Sequence, residues 1–554
     1  MYEQVLDPVG GSLFASAIFA ALPLITLFVL LGGLKLKAQV AALVALAVAL
    51  LVAFIAYEMP VGQGLNAALL GACFGLFPIM WIVWNAVWIH NVTEATGHFD
   101  VLRRSFASVS DDQRIQAVII AFAFGALIEA LAGFGAPVAI TAAMLLAVGF
   151  KPIQAASVAL VANTAPVAFG AIATPIITLA EITGLPKDDL GAMVGRQTPF
   201  LALVVPLVLV GMVDGMRGVR QTWPAAIVGG LTFAIGQFLC SNYLSVEITD
   251  IVAALLSAGA IVALLRVWQP SEPLRMETAG SRPAIAGAAT DDATHEEEVH
   301  RRSDHTHDSR RDVLTAYAPY LIIIVVLSLA QWGPIKDALG EATREIDWPG
   351  LNVLNADGEE PSSAVFNFNW LATPGTLLLI SGLLTMLVLR ISPARAAGVY
   401  GRTLSQLKWA TLTVAAVLGL AYVMNFSAQT LTLGQWIAGA GGVLAFLASI
   451  IGWLGVAVTG SDTSSNSLFG ALQVQAAREA GLDPTLLAAA NSSGGVLGKM
   501  ISPQNLAIGA AAVGLAGQEG ELFRRVLGWS LALLLIMCVI VLLQSTAVLS
   551  WMVV

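Results

Sequence analysis

The sequence predicts an all-α polytopic membrane protein of about 12–14 transmembrane helices, with two inverted-topology repeats containing broken or re-entrant helices. Three observations carry this. Of 554 residues, 57% are hydrophobic and only 11% charged, against about 25% charged in a soluble domain. Apolar stretches recur along most of the length, and ~20 such residues are enough to cross ~30 Å of hydrocarbon. Two polar segments more than three hundred residues apart share one pattern.

Apolar runs bounded by charge or turn residues place membrane segments near 11–33, 38–57, 66–90, 115–136, 152–173, 198–214, 224–242, 249–267, 313–332, 372–390, 408–425, 435–459, 484–500 and 526–552. Shorter apolar pieces near 137–149, 174–183, 463–477 and 504–516 cannot span alone and read as re-entrant or broken-helix halves. The organisation that follows is N-terminal helices over 1–114, a first repeat module over 115–214 and further helices over 215–267. A linker covers 268–312, helices with an outer loop at 333–371 fill 313–434, and a second repeat module covers 435–554. The linker carries Glu296-Glu297-Glu298 and four histidines without apolar periodicity. It reads as a disordered connector, with metal binding by the His-rich tract as the less economical alternative. The outer loop has Trp348 and Trp370 and is expected to order in part as a cap.

The N-terminus lacks the cationic start of a cleavable signal, so the first apolar run is expected to remain as a helix. Lys and Arg in short loops set orientation. Lys35, Lys37, Arg103, Arg104, Arg114, Arg217, Arg220, Arg390, Arg395, Arg402 and Lys408 all fall inside under one threading with the N-terminus outside. The net charge of −9 comes from loops, and no basic stripe exists that could track phosphates. Cys73, Cys240 and Cys538 are far apart with no CxxC, which argues against a disulfide framework or a thiolate metal site.

The shared pattern runs from Asn163 to Pro175 and from Asn491 to Pro503. In both a hydroxyl residue follows Asn, Gly stands seven after it, and a hydroxyl residue followed by Pro closes the run twelve residues on. Polar, Gly- and Pro-rich backbone at membrane depth is tolerated only where protein or a water-filled cavity covers it. The threading starts one module from inside and the other from outside. Matched copies in inverted halves point to the binding site of a secondary transporter.

Charge inside the membrane is costly and marks function by default. Glu129, Asp462 and Lys499 qualify. Glu129 and Asp462 each end a long apolar helix, before a short helix and a Gly-x-x-Pro turn (Gly149 to Pro152, Gly481 to Pro484). Burial disfavours the charged form of a carboxyl, so either can exchange a proton near neutral pH. Asp462 has the more polar neighbours and is the slightly favoured coupling residue; the alternative is a structural carboxylate. A helix starting at Ser461-Asp462-Thr463-Ser464 would aim backbone N–H groups at an anion; a locally satisfied cap is the simpler alternative. Lys499 can meet a substrate carboxylate, pair with Asp462 or Glu129, or snorkel to the surface. Arg196 is a further possible anion partner or an interfacial residue. Asn163, Thr164, Asn491, Ser492, Ser493 and Gln504 can hydrogen-bond a small polar solute or join helices.

Several of these runs closely resemble the bacterial lactate permease family. They are Glu129 to Thr141, Asn163 to Gly170, Gly195-Arg196-Gln197, Gly452 to Gly455, Gly460 to Asn466 and Gly498 to Gln504, and the resemblance extends to Trp223-Pro224 and Trp551-Met552. It covers nearly the whole chain. It implies proton-coupled symport of L-lactate, D-lactate, glycolate or a similar short 2-hydroxy monocarboxylate across a bacterial inner membrane, with H+ as coupling ion and no cofactor or metal. Ala130 stands where members mostly have Gly, and 268–312 is longer than usual. Sodium coupling on the same architecture is the alternative. Gly460-Ser461-Asp462 is superficially like an intramembrane aspartyl protease, which needs two carboxyls in one site, but such an enzyme gives the duplicated motif no role. A ring-lined channel fits single buried charges poorly.

Overall fold

The computed structural model describes residues 2–34, 36–133, 135–274, 308–330, 332–355, 360–515 and 518–554. Most of the 268–312 connector thus lies outside the described residues.

The chain begins with strand β1 (Tyr2–Glu3) and helices α1 (Leu13–Phe28), α2 (Ala38–Ile55), α3 (Val61–Phe74), α4 (Trp81–Ala95) and α5 (His98–Ala107). The first module follows as α6 (Gln113–Gln116), a wider π-helical stretch, α7 (Gly125–Ala132), α8 (Ala136–Ala147), α9 (Pro152–Ala162) and α10 (Gly170–Thr183). Then come α11 (Lys187–Gln197), α12 (Pro199–Tyr243), α13 (Thr249–Leu265), α14 (Arg310–Ala330) and α15 (Gly333–Gly340). Strands β2 (Arg344–Asp347), β3 (Val353–Leu354) and β4 (Val365–Phe368) precede α16 (Pro374–Val388), α17 (Pro393–Phe426) and α18 (Gln429–Ala438). The second module is α19 (Leu444–Thr459), α20 (Asp462–Ala480), α21 (Pro484–Gly498) and α22 (Pro503–Ala512), and α23 (Glu519–Gln544) closes the fold.

Among the described residues nine helical runs are long and apolar enough to span a membrane, ten if the pair Pro152–Ala162 and Val167–Thr183, bent by 65°, counts as one. The sequence reading expected 12–14. The difference has identifiable causes. The runs expected at 198–214 and 224–242 are two helical halves of α12 that fold back on each other at Asp214 and Gly215 (φ +59°), with Gly230 against Ala202 and Leu203, and they fall within one counted run, Lys187–Tyr243. The segments at 249–267 and 372–390 are helices of 17 and 15 residues. The segment at 484–500 is a 15-residue helix stopped by a turn at Lys499. All four short pieces expected at 137–149, 174–183, 463–477 and 504–516 are helices beside breaks, α8, α10, α20 and α22.

The two modules interlock. Helix α10 packs on α20, and α22 packs on α8 and α9. Gly470 lies against Leu179 at the first contact and Gly509 against Val138 at the second. The last helix of the first module therefore rests on α20, and the last short helix of the second on α8 and α9.

One end of the molecule is closed by a cap. Strand β1 pairs in parallel with β3, and β2 pairs antiparallel with β4. The Tyr2 hydroxyl donates to the Tyr57 carbonyl (3.1 Å), Gln4 Nε2 to the Asn425 carbonyl (2.8 Å), and Trp348 Nε1 to Asn66 Oδ1 (2.8 Å). The N-terminus, the 57–66 turn, the 425–432 turn and part of the 333–371 loop thus meet at one end, in line with the ordered cap expected there.

Arg114 was counted among loop charges but is buried (1% exposed). Its guanidinium donates to Asp112, to Asp214 Oδ2 (3.0 Å), to Gln221 Oε1 (2.6 Å) and to the Glu272 carbonyl (2.7 Å). It ties the start of the first module to the bend in α12. Its fixed donor fork suits this role, because it can satisfy several acceptors at once.

Candidate functional site

Four breaks build the site, and each has a local cause. Helix α7 stops at Gly133, and Gly135 takes φ +89° before Pro137 starts α8. Helix α9 ends at Asn163, and Pro166 disfavours further α-helix just before it. Helix α19 stops at Gly460 in the left-handed conformation (φ +75°). Ser461 then caps α20, its hydroxyl accepting from the Ser464 N–H (3.2 Å). Helix α21 passes through a 3-10 turn at Lys499–Ile501 to Ser502, which caps α22 ahead of Pro503. Serine at the N-cap with proline next satisfies one orphan N–H and removes another.

The breaks surround a cavity of about 440 Å3. Glu129, Asp462, Lys499, Ser461, Thr463, Ser464 and Gln504 all line it. Its opposite wall is Leu31 with Trp409, Thr413 and Val414 of α17, and its mouth lies at the exposed Leu36 and Lys37. That is the start of α2, whose far end meets the cap.

Lys499 Nζ donates to Glu129 Oε1 at 2.6 Å, with both side chains buried. Asn163 Nδ2 donates to the second oxygen at 2.9 Å. Gly170 and Gly133 flank the same carboxylate, and a Cβ at Gly170 would lie 2.8 Å from Oε1. Of the alternatives open for Lys499, the structure has the internal ion pair, formed across the two modules inside the cavity. An ion pair of this kind is strongly held only while both members remain, since either alone is an uncompensated buried charge.

Asp462 is held differently. Ser492 Oγ donates to its Oδ2 at 2.5 Å. Its Oδ1 has no hydrogen-bond partner among the described residues and packs beside Gly495.

The remaining expected residues divide. Asn163 and Ser492 stand one layer behind the cavity and orient the two carboxylates. Asn491 donates to Asn466 Oδ1 (2.9 Å), joining α21 to α20. Thr164 bonds back to the Val161 carbonyl (2.7 Å), and the Ser493 hydroxyl is buried without a partner among the described residues. Arg196 does not reach the cavity. It donates to Asn242 Oδ1 (2.9 Å) and the Met552 carbonyl (3.1 Å), so it ties the C-terminal segment to α12. The possible anion partner is a structural clasp here. Replacing it (Arg196→Ala) should leave the KM for substrate unchanged while lowering thermal stability, measured by transport assay and melting in detergent.

Sequence reasoning missed several members. Asn466 Nδ2 donates to the Pro175 carbonyl in α10 (3.1 Å), bridging the two modules. Asp250 and Glu247 are fully buried acids beyond the three intramembrane charges identified. Asp250 accepts from Gln237 Nε2 (3.0 Å), which also reaches the Ala165 carbonyl in the break after α9. The signal was an acid opening an apolar run. The cavity wall of Trp409 and Thr413 carries no such signal, because nothing in a long apolar helix distinguishes its cavity-facing side.

The sequence model of the L-lactate permease family matches residues 16–548. The chain belongs to the L-lactate permease family. It is a multi-pass membrane transporter, and the relatives are permeases rather than enzymes. This permease is 42% identical to the glycolate permease GlcA of Escherichia coli (strain K12) over 98% of each chain. It is 42% identical to the L-lactate permease of Bacillus subtilis (strain 168) over the full length of both. The L-lactate permease of Escherichia coli (strain K12) is 40% identical, again over the full length of both. Among solved structures, Neisseria gonorrhoeae MtrF, described as one of a class of antimetabolite efflux pumps, aligns at 15% identity over 85% of this chain and 81% of its own. The TM-score of this alignment is 0.44.

Proposed function

We propose that this permease is a proton-coupled symporter that brings L-lactate, D-lactate, glycolate or a similar short 2-hydroxy monocarboxylate into a bacterial cell across the inner membrane. The observation that carries the reading is the Lys499–Glu129 pair inside the cavity. In the empty site the lysine is neutralised by Glu129. A substrate carboxylate that takes the lysine leaves Glu129 buried as a second anion, which is expensive in a medium of low dielectric. One proton on Glu129 restores neutrality. Charge balance at a single lysine thus gives one proton per anion. The electrical benefit has the same sign, because moving one charge through 100 mV is worth ~2.3 kcal/mol and the neutral pair avoids that cost. The geometry moves the emphasis from Asp462 to Glu129 as the coupling residue, since Glu129 holds the cation. Asp462, which lines the cavity and has one oxygen without a hydrogen-bond partner among the described residues, suits the acceptor for the substrate's 2-hydroxyl.

The inverted-repeat reading stands with it. The exchange of helices α10 and α22 between modules is what two copies related by a twofold axis would produce. The N-terminus is assigned to the outer face with the rest of the cap.

Proteoliposomes test the proposal. An imposed pH gradient should drive uptake of lactate or glycolate without sodium, and strict sodium dependence would overturn the coupling. Glu129→Gln should keep counterflow of labelled substrate but lose accumulation driven by pH. Asp462→Asn should keep accumulation with KM raised about tenfold, the worth of a hydrogen bond to a charged group. If Asp462→Asn is the variant that loses accumulation, the coupled proton belongs there.

A further inference from the structure

A second cavity, of about 180 Å3, lies at the cap end of the molecule. It stands at the other end of helix α10. Gly170 and Pro175 line the first cavity, while Ile177 and Glu181 line the second. Six residues of helix separate Pro175 from Glu181, a rise of roughly 9 Å at 1.5 Å per residue.

The second cavity has the parts of an anion site. The N-terminus of α16, a 15-residue helix, lies in its wall with Thr373 as the N-cap. Free N–H groups at a helix start attract a carboxylate. Thr373 is 0% exposed, yet its side chain makes no capping bond and its Oγ1 has no partner among the described residues. Asn369 Oδ1 is likewise buried and unpartnered there, and Lys336 brings an ammonium group to the same wall. A buried hydroxyl without a partner is expensive to keep, and a visiting ligand relieves that cost. Two acids also line the space. Glu247 is neutralised by its ion pair with Lys187 and accepts from Ser245 Oγ (2.6 Å). Glu181 remains as an acceptor for a hydroxyl group.

We propose that this cavity is a second binding site for the transported 2-hydroxy carboxylate, occupied before or after the site at Lys499. The carboxylate takes the α16 N-terminus, the Thr373 hydroxyl and Lys336. The 2-hydroxyl donates to Asn369 Oδ1 or Glu181. The inference rests on the substrate class proposed above. It adds a station on the cap side, so that the path has one polar stop at each end of α10.

Protection from labelling tests it. Ala372, half-buried in the cavity wall, is replaced by cysteine in a background where Cys73, Cys240 and Cys538 are serine. A membrane-impermeant maleimide is added from the cap side with and without glycolate. Bound ligand should slow labelling by the factor one plus concentration over dissociation constant, about tenfold at roughly ten times that constant. The slowing should persist when Lys499→Ala/Glu129→Gln disables the first site without stranding a buried charge, and vanish with Thr373→Val. Lack of protection in the Ala372→Cys protein, or protection that disappears with Lys499→Ala/Glu129→Gln, overturns the second site. Counterflow of glycolate and lactate by the same Ala372→Cys protein shows that it is folded and tests the substrate class separately. If counterflow is absent in the wild type too, the substrate reading fails rather than the site.

Discussion

Lys499→Ala should abolish substrate accumulation, with uptake reduced more than a hundredfold, and should also reduce the amount of folded protein. The two effects have one origin. Lys499 is the only basic residue lining the inner part of the first cavity among the described residues, and it pairs at 2.6 Å with Glu129. Its loss removes the group proposed to receive the substrate and strands a buried carboxylate, a defect worth about 3–5 kcal/mol. The double variant Lys499→Ala/Glu129→Gln separates them. It removes the stranded charge and should recover monodisperse protein in detergent, while transport stays absent. Recovery of transport in the double variant would show that the lysine serves only to neutralise Glu129. Uptake assays beside size-exclusion profiles of the three proteins decide the matter.

Gly494→Val should be the most damaging substitution outside the cavity. Helices α19 and α21 meet backbone to backbone. A Cβ at Gly494 would run into the Ser449 carbonyl, one at Gly452 into the Asn491 carbonyl, and one at Gly498 into the Trp453 carbonyl. Gly494 and Gly498 form a small-xxx-small face of the kind that lets membrane helices approach closely. The colliding atoms belong to backbone rather than to flexible side chains, so neither helix can yield without moving. Overpacking costs typically 1–3 kcal/mol and sometimes more, and about 3 kcal/mol or above is expected here. Displacement of α21 would also carry Lys499 away from Glu129. Gly528→Ala is the control, because a Cβ there meets nothing within 4 Å. Thermal melting in detergent should show a large loss for Gly494→Val and little change for Gly528→Ala.

Much of this fold was legible because lipid imposes simple constraints. A charge or a helix break in an apolar run is conspicuous, so Glu129, Asp462, Lys499 and the four breaks stood out in the sequence. The choice among Lys499's partners was not legible. Spacing along the chain places Glu129 and Asp462 in comparable surroundings and leaves Lys499 able to pair with either, and only the packing of the two modules brings it to Glu129. Arg114 and Arg196 show the opposite failure. Both sit where short-loop or motif arguments expect exposed or ligand-facing cations, yet both are consumed by local acceptors. Asp250 escaped because it opens a helix at the edge of an apolar run, where acids are ordinary.

The ion pair at the centre of the cavity also has a history in time. Glu129 and Lys499 are 370 residues apart. At about 5–20 residues per second of synthesis, the carboxyl enters the bilayer on the order of half a minute before its cation exists. During that interval a neutral side chain is by far the cheaper form to hold in hydrocarbon. Each newly made molecule therefore passes through a stage in which Glu129 has no cation beside it, and assembly of the second module ends that stage by bringing Lys499 to 2.6 Å. The contact that completes the fold is then the same ion pair that lies at the centre of the cavity.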